Sequence, residues 1–582
     1  MQPTDATFPP PSAALRLCGA CAILIALVVV GHYVLSAGFG LYEDDIFGIA
    51  PSLTGGLDEA LFRFKREFFN PRFGGRIFVT FMPHLFSAIG IELAGLHGAY
   101  MVAAASFSLT VLLLFSLVGR VYGPRIGFAA ALVFLFFPAD VNKIYLQHSF
   151  IHWPALCICL SAMHLYVSGR RIPAYLLSIL CLFYYESAFL PFFGAPLLRP
   201  AQRPFSHKEI ALHTLLCLGI LGSIFLLRST AGDFRVGGDH AMIATQGAGL
   251  VRTGLKSTAN MVLGPLTCLA SYPYAILRFI HHITPGTATA ALIGSLLSGL
   301  GFALLPAGAG ERFKTTVRFG SKALRIEGTL ESTVVDTGLL RAFVVGLILM
   351  SVSYLLSFTS FPALHLFGRV TREHFAAGFG MALAGGATLV FVGNLASRLA
   401  SQRVGVLVCA LCVGPLTGYA FHVQQEYVHN WDDQRWMWQQ IVELAPDATE
   451  DTRIFVIDRD LPQESRPIAS IRGWHTPAVN RYLFDYPTQW KTPPRTFVMP
   501  PDWAGAVEMK AGVPQWFMPT GLWWSHWEPL PVANLIVLEM DQGKLHRRTG
   551  GYPVLGAMFP LKPVQENPPR FPTRPLYEYL VR

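Results

Sequence analysis

Apolar runs too long for a soluble core dominate this sequence. Leu17 to Leu35 and Leu339 to Leu356 are two of them. Runs of roughly 17–25 apolar residues match the hydrocarbon thickness of a bilayer. Inside that layer every backbone N–H and C=O needs an internal partner, so only helices and closed barrels survive. These runs are too long and continuous for barrel strands, which predicts helices. Composition agrees: of 582 residues, 52% are hydrophobic and only 14% are charged. A soluble chain is about 25% charged.

The net charge of +9 raises nucleic acid as a partner, but most of the excess lies between apolar runs. There the positive-inside rule retains Lys and Arg, so no nucleic-acid partner is expected. All nine Cys lie in or near apolar segments, and none follows Cys412. The pairs Cys18/Cys21 and Cys409/Cys412 have no His or Cys at zinc-site spacing, so they read as packing residues. Arg16 is the one positive charge before the first run, and no small-residue cleavage site follows it. The first run is expected to be a retained helix with its N-terminus in the cytoplasm.

Spans are predicted at 17–37, 98–118, 126–138, 152–168, 172–185, 187–198, 210–228, 287–307, 339–357, 375–397 and 404–421. Two segments are ambiguous: Arg76 to Gly95, with Pro83, His84 and Glu92, and Ser257 to Ile280, with Asn260, Pro265, Pro273 and Arg278. Basic loops arbitrate. Arg120 and Arg125, Arg170 and Arg171, Arg199 to Lys208, Arg312 to Arg325, and Arg398 and Arg403 mark five turns. Excluding both ambiguous segments puts all five on the side of Arg16. Counting both inverts the stretch between them. The rule therefore favours about 11 spans (about 11–13 if the doubtful segments cross) with the C-terminus outside. The two segments become interfacial or re-entrant helices on the outer face.

After Phe421 the composition turns to Trp, Pro and charge. The expected organisation is a membrane unit over residues 1–421 and a soluble α/β or α+β outer domain over 422–582. Asp432 to Leu444 has helical character, and RIFVI (Arg453 to Ile457) and NLIVL (Asn534 to Leu538) look like buried strands.

This topology collects acids on the outer face. Glu43, Asp44 and Asp45 are consecutive in LYEDDIF, Asp140 lies in FFPADVNK and Glu186 in FYYESAF. Carboxylates at a membrane boundary are costly unless solvated, paired or used. His148, His152, Arg235, Arg369 and Arg372 fall on the same face, and Arg gives bidentate contacts to phosphate. A carboxylate there could take a proton from an acceptor while cations stabilise a departing lipid phosphate. That task is sugar transfer from a polyprenyl-phosphate donor. An adjacent acid could also bind Mg or Mn, although such transfer does not always need a metal.

LYEDDIFGIAP (Leu41 to Pro51), GGRIF (Gly74 to Phe78), FFPADVNKIY (Phe136 to Tyr145) and YYES (Tyr184 to Ser187) resemble the GT-C class of integral membrane glycosyltransferases. The resemblance implies an acidic catalytic motif and interfacial helices in the first outer loop, with a second acid in the next. It implies Asp44 as general base, Asp45 as its close alternative, and a supporting or metal-binding role for Asp140, with Asp45 and Asp140 the candidate metal ligands. Glu43, Arg76, His148, His152, Glu186 and Arg235 become candidate substrate contacts. Arg369 and Arg372 are assigned to the lipid phosphate from charge and side alone. The implied setting is a bacterial inner membrane with the site facing the periplasm, and the acceptor, whether glycan, lipid or protein, is left open. Two other readings compete. A transporter or lipid flippase would use intramembrane charges, but the acids gather at one face rather than the midplane. A non-catalytic scaffold would bind a partner through Trp431, Trp436, Trp438, Trp523, Trp524 and Trp527, whose bland role is domain core and interface packing.

Overall fold

The computed structural model describes residues 11–69, 77–199, 206–230, 247–305, 317–319, 322–324, 337–357, 362–457, 476–499, 503, 507–510, 513–518, 526–554 and 557–582. The chain is a polytopic α-helical membrane protein with a strand-containing domain after the helices. Seven described helices are long and apolar enough to cross a membrane.

The helices run in order as α1 (Pro11–Val28), α2 (Asp45–Gly48), α3 (Ala50–Phe69), α4 (Ile77–Tyr122), α5 (Pro124–Leu135), α6 (Leu146–Val167), α7 (Arg171–Leu182), α8 (Glu186–Phe189), α9 (His207–Thr230), α10 (Gly247–His281), α11 (Pro285–Leu304), α12 (Thr337–Val352), α13 (Ala377–Leu399) and α14 (Gln402–Leu444). A π-helical turn at Val29–Tyr33 extends α1.

Three predicted spans differ. Helices α5 and α7 have 12 residues each, about 18 Å of rise against a hydrocarbon core of about 30 Å. The predicted span 187–198 is not one α-helix. It is the four-residue α8 followed by a 3-10 stretch, Leu190–Leu197, that contains Pro191 and Pro196. Each proline removes a backbone donor and crowds the preceding turn, and two of them within six residues leave little of an α-helical ladder in so short a segment.

The two ambiguous segments do not behave as simple spans. In α4 the backbone turns sharply at Ala94 (φ −158°, ψ 39°) and Gly95 (φ 59°, ψ −149°). The part before the turn packs on α3, with the rings of Phe64 and Phe81 4.5 Å apart. These two arms occupy the stretch after α1 where interfacial helices are expected. Helix α10 touches one end of the bundle from Ser257 onward. Ser257 donates to the Leu355 carbonyl, Thr267 Oγ1 to the Ala363 carbonyl at 2.9 Å, and His282 stacks on His422 at 4.5 Å. It therefore lies across that end rather than through the bundle.

The opposite end gathers the basic loops. Arg120 donates to Ser168 Oγ at 2.7 Å, and Arg171 and Arg199 both pair with Glu209. Arg125 lines a small cleft with Ser397 and Gly405. Arg203, Arg312, Lys314 and Arg325 lie outside the described residues. Between the ends, helices meet through small residues, as lipid-embedded interfaces do. A Cβ on Gly346 of α12 would overlap the Ala384 backbone of α13, and one on Gly380 would overlap Met350.

Helix α14 runs unbroken for 43 residues. The 421/422 position falls inside it, and the expected helix 432–444 is its C-terminal end. No proline or glycine lies between Gly418 and Leu444, so the hydrogen-bond ladder continues although the composition changes. Strands β1 (Val317–Phe319) and β2 (Lys322–Leu324) form a small hairpin. The C-terminal domain holds β3 (Arg453–Ile457), α15 (Thr476–Leu483), β4 (Arg495–Met499), β5 (Val507–Lys510), β6 (Val513–Met518), β7 (His526–Pro529), β8 (Leu535–Asp541), β9 (Lys544–Arg547), β10 (Gly551–Val554), β11 (Ala557–Pro560) and α16 (Pro575–Leu580). The main sheet has the order β4-β3-β8-β9, with β3 parallel to both neighbours. Both faces of β3 are covered, as expected for a parallel sheet. Ile454 and Val456 join the cluster of Trp438 and Ile441 from α14. Phe455 and Ile457 face Trp503 and Trp516.

Arg547 locks α14 to this sheet. It donates to the carbonyl of Leu444 at 3.0 Å and to Asp447 Oδ2 at 2.9 Å. Burial would raise the Asp447 carboxyl, but the Arg547 bond and charge outweigh it and hold it below the usual carboxylate range. Arg547→Ala strands a buried carboxylate and should cost the C-terminal domain about 3 kcal/mol or more in thermal unfolding. The Asp447 contribution is present above its ordinary value of about 4 and is lost as pH falls through the lowered one. The destabilisation should therefore shrink in strong acid, and equal stability of both proteins at pH 7 would refute it.

Candidate active site

The loop after α1 is pinned before it reaches its acids. Tyr100 Oη donates to the Gly40 carbonyl at 2.6 Å, and Tyr42 Oη donates to the Tyr427 carbonyl at 2.9 Å. A Cβ at Gly40 would overlap the Trp431 indole, so glycine is required there by close approach. Glu43 then adopts φ +43°, a left-handed conformation that costs a non-glycine residue energy and often marks function. That turn sends the side chains of Asp44 and Asp45 to different partners.

Asp44 is 6% exposed. Its Oδ2 lies 3.0 Å from Arg369 Nε, 3.6 Å from Arg372 Nη1 and 3.3 Å from His148 Nε2. Its Oδ1 is buried with no hydrogen-bond partner, as is His148 Nδ1. Burial pushes the carboxyl up, but His148 and the two arginines overcome this and hold it well below the usual range. Glu43 flanks the group, accepting from Tyr145 Oη at 3.3 Å and lying 3.9 Å from Arg369 Nε. Buried polar atoms are almost always satisfied, so these two leave the cluster with polar capacity that its own residues do not use.

Asp45 does a different job. Its Oδ1 accepts from Gln147 N at 2.7 Å, and its Oδ2 from Tyr42 N at 3.2 Å and Leu146 N at 3.3 Å. It satisfies the free N–H groups that open α6. Burial drives its carboxyl up to about 8, the charge of Asp44 adds to this, and the three N–H bonds oppose it. Both oxygens are committed to backbone.

The remaining candidates separate. Asp140 Oδ1 accepts from Asn142 N at 3.0 Å, a local turn bond. Lys143 beside it is buried and donates to the carbonyls of Phe137 and Asp140. Burial lowers its ammonium to about 8 while the Asp140 charge pulls the other way. Among the described residues no group of three or more His, Cys, Asp or Glu is placed to hold a metal. With Asp45 capping α6 and Asp140 closing its own turn, the pair does not fit a shared Mg or Mn. Glu186 pairs with Arg228 of α9, not with the other acids. His152 packs between His148 at 5.3 Å and Phe375 at 4.4 Å. Arg76 and Arg235 lie outside the described residues. Of the tryptophans, Trp431 and Trp438 are core, Trp436 is exposed, and Trp523 and Trp524 are outside the described residues.

A latch that the sequence did not reveal positions the arginines. They sit on a 3-10 turn, Arg369–His374. Thr371 Oγ1 accepts from Asn142 Nδ2 at 2.7 Å and from Val141 N at 3.3 Å, which fixes this turn to the Asp140 loop. On the other side His374 bonds Tyr354. The only local signal was Thr371 standing between the two arginines. Thr371→Val keeps the shape and removes the oxygen. It leaves buried donors unpaired and should cost about 1–3 kcal/mol of stability, readable as a lower melting temperature in detergent.

No family model and no curated protein matches the chain. Among solved structures it is similar to ArnT from Cupriavidus metallidurans in the apo state. The identity is 13% and the TM-score 0.28, over 75% of this chain and 81% of that one.

Proposed function

We propose that the chain is a membrane glycosyltransferase of the GT-C type, using a polyprenyl-phosphate-linked sugar and Asp44 as general base. One observation carries the reading: a buried carboxylate, unpartnered at Oδ1, set against two arginines and a histidine at the end of the bundle opposite the basic loops. By the positive-inside rule that end faces outward, on the periplasmic side of a bacterial inner membrane. Residues 1–421 supply the catalytic membrane unit and 422–582 the outer domain, with α14 common to both.

The acceptor hydroxyl or amine attacks the anomeric carbon of the donor sugar. A bond to the acceptor forms as the carbon–oxygen bond to phosphate breaks, and the electron pair leaves on polyprenyl phosphate. The acceptor proton passes to Asp44. Arg369 and Arg372 stabilise the charge that grows on the phosphate. Asp45 supports the site by fixing the start of α6, and no metal enters the scheme. The single-ended clustering of these groups suits transfer at one face better than passage through the bilayer.

The test is transfer of labelled sugar from a polyprenyl-phosphate donor in membranes bearing the protein. Membranes with the wild-type chain should label an acceptor, and membranes with Asp44→Asn should not. Equal labelling by the two would sink the assignment.

A further inference from the structure

Three groups converge on one oxygen of Asp44 and none on the other. A carboxylate between two guanidiniums ordinarily shares them through both oxygens, in parallel N–H···O bonds. Here the acid holds both arginines by one oxygen, and it lies 3.6 Å from Arg372 Nη1, which is also 3.5 Å from His148 Nε2. The arginines also reach further out than the acid. Their side chains are 26% and 39% exposed, against 8% for Asp44. An anion arriving at this end meets the guanidiniums first.

We propose that Arg369 and Arg372 are shared ligands, held by Asp44 until the donor binds and taken from it by the phosphate of the donor, so that Asp44 becomes a competent base only when the donor is seated. The inference rests on the proposed function, which supplies the base and the phosphate. Its ground is competition of two anions for one pair of cations. Until the donor binds, the arginine charges and the His148 bond outweigh burial and keep the carboxylate weakly basic. Drawing the cations toward phosphate removes part of that hold, and the proton affinity of the acid rises. The Thr371–Asn142 bond keeps the turn in place while the side chains exchange partners. Glu43, 3.9 Å from Arg369, gives that arginine a second anchor during the exchange. The enzyme then holds its base inert until there is a sugar to transfer.

Competition is reciprocal, so the charge of Asp44 must weaken phosphate binding as much as phosphate weakens the grip of Asp44. The probe is a farnesyl phosphodiester carrying a methyl group in place of the sugar, titrated calorimetrically into the detergent-solubilised full chain. Asp44→Asn should bind it about tenfold more tightly than wild type, and Arg369→Gln and Arg372→Gln should bind it about tenfold more weakly. Asp44→Ala serves as a second charge-removing variant should Asp44→Asn fail to fold. Equal or weaker binding by the Asp44 variants, with binding still lost in the arginine variants, would overturn the sharing and leave the phosphate site standing. Unchanged binding in both arginine variants would remove the phosphate assignment of the proposed function itself, and the sharing with it.

Discussion

Asp44→Asn is expected to lower sugar transfer by about 10²–10⁴-fold, the usual worth of a positioned general base. The amide keeps the volume and one acceptor but cannot take the proton. The effect on stability should be small, within about 1 kcal/mol. The arginines that lose their partner are 26% and 39% exposed and can turn to water. The measurement is a transfer rate in membranes beside a melting curve of the same variant in detergent. A large loss of stability with proportionate loss of rate would make Asp44 a structural residue.

Asp45→Asn and Asp45→Ala should do the reverse. Both oxygens of Asp45 accept backbone N–H bonds in a fully buried position. Asn must turn its NH₂ toward one of those donors, and Ala leaves all three unsatisfied. The expected loss is about 2–4 kcal/mol of folding stability, from the missing helix cap and the buried unpaired donors. Whatever fraction stays folded should transfer sugar at a rate within a few-fold of wild type, since both Asp45 oxygens are spent on backbone N–H groups. The pH dependence has a definite sign. Burial raises the folded value of Asp45 to about 8, above an ordinary value of about 4. The advantage of wild type over Asp45→Asn is therefore full below about pH 4 and shrinks as pH rises toward 8. A melting difference that grows over that range would show the carboxylate to be ionised throughout.

What was legible in the sequence was local. The apolar runs, the acidic run after the first of them, and the strand RIFVI depend on neighbours within a few residues, and β3 occupies the residues read for it. The break in the 187–198 segment is local too: Pro191 and Pro196 stand in it and carry the departure from an α-helical span. What was not legible depends on distant pairing. No pattern shows that Arg228 takes Glu186, or that Thr371 ties the arginine turn to Asn142. The roles of Asp44 and Asp45 were hardest. Two identical neighbours differ because Glu43 sits at φ +43° and aims one at cations and the other at a helix start. Charge counting could place both on one face, but not tell them apart.

The turn at Ala94 and Gly95 has a consequence for how such a chain is made. The Tyr579 hydroxyl of α16 lies against Gly95, and the carbonyls of Val581 and Arg582 accept from Gln439 and Arg435 of α14. Residues translated late thus brace the loop translated first. Asp44 enters the membrane early in synthesis, long before its arginines exist, and the brace on its loop arrives later still. Assembly of the site is therefore stepwise: His148 can reach Asp44 first, the two arginines only once the chain has been made as far as Arg372, and the brace from α16 last.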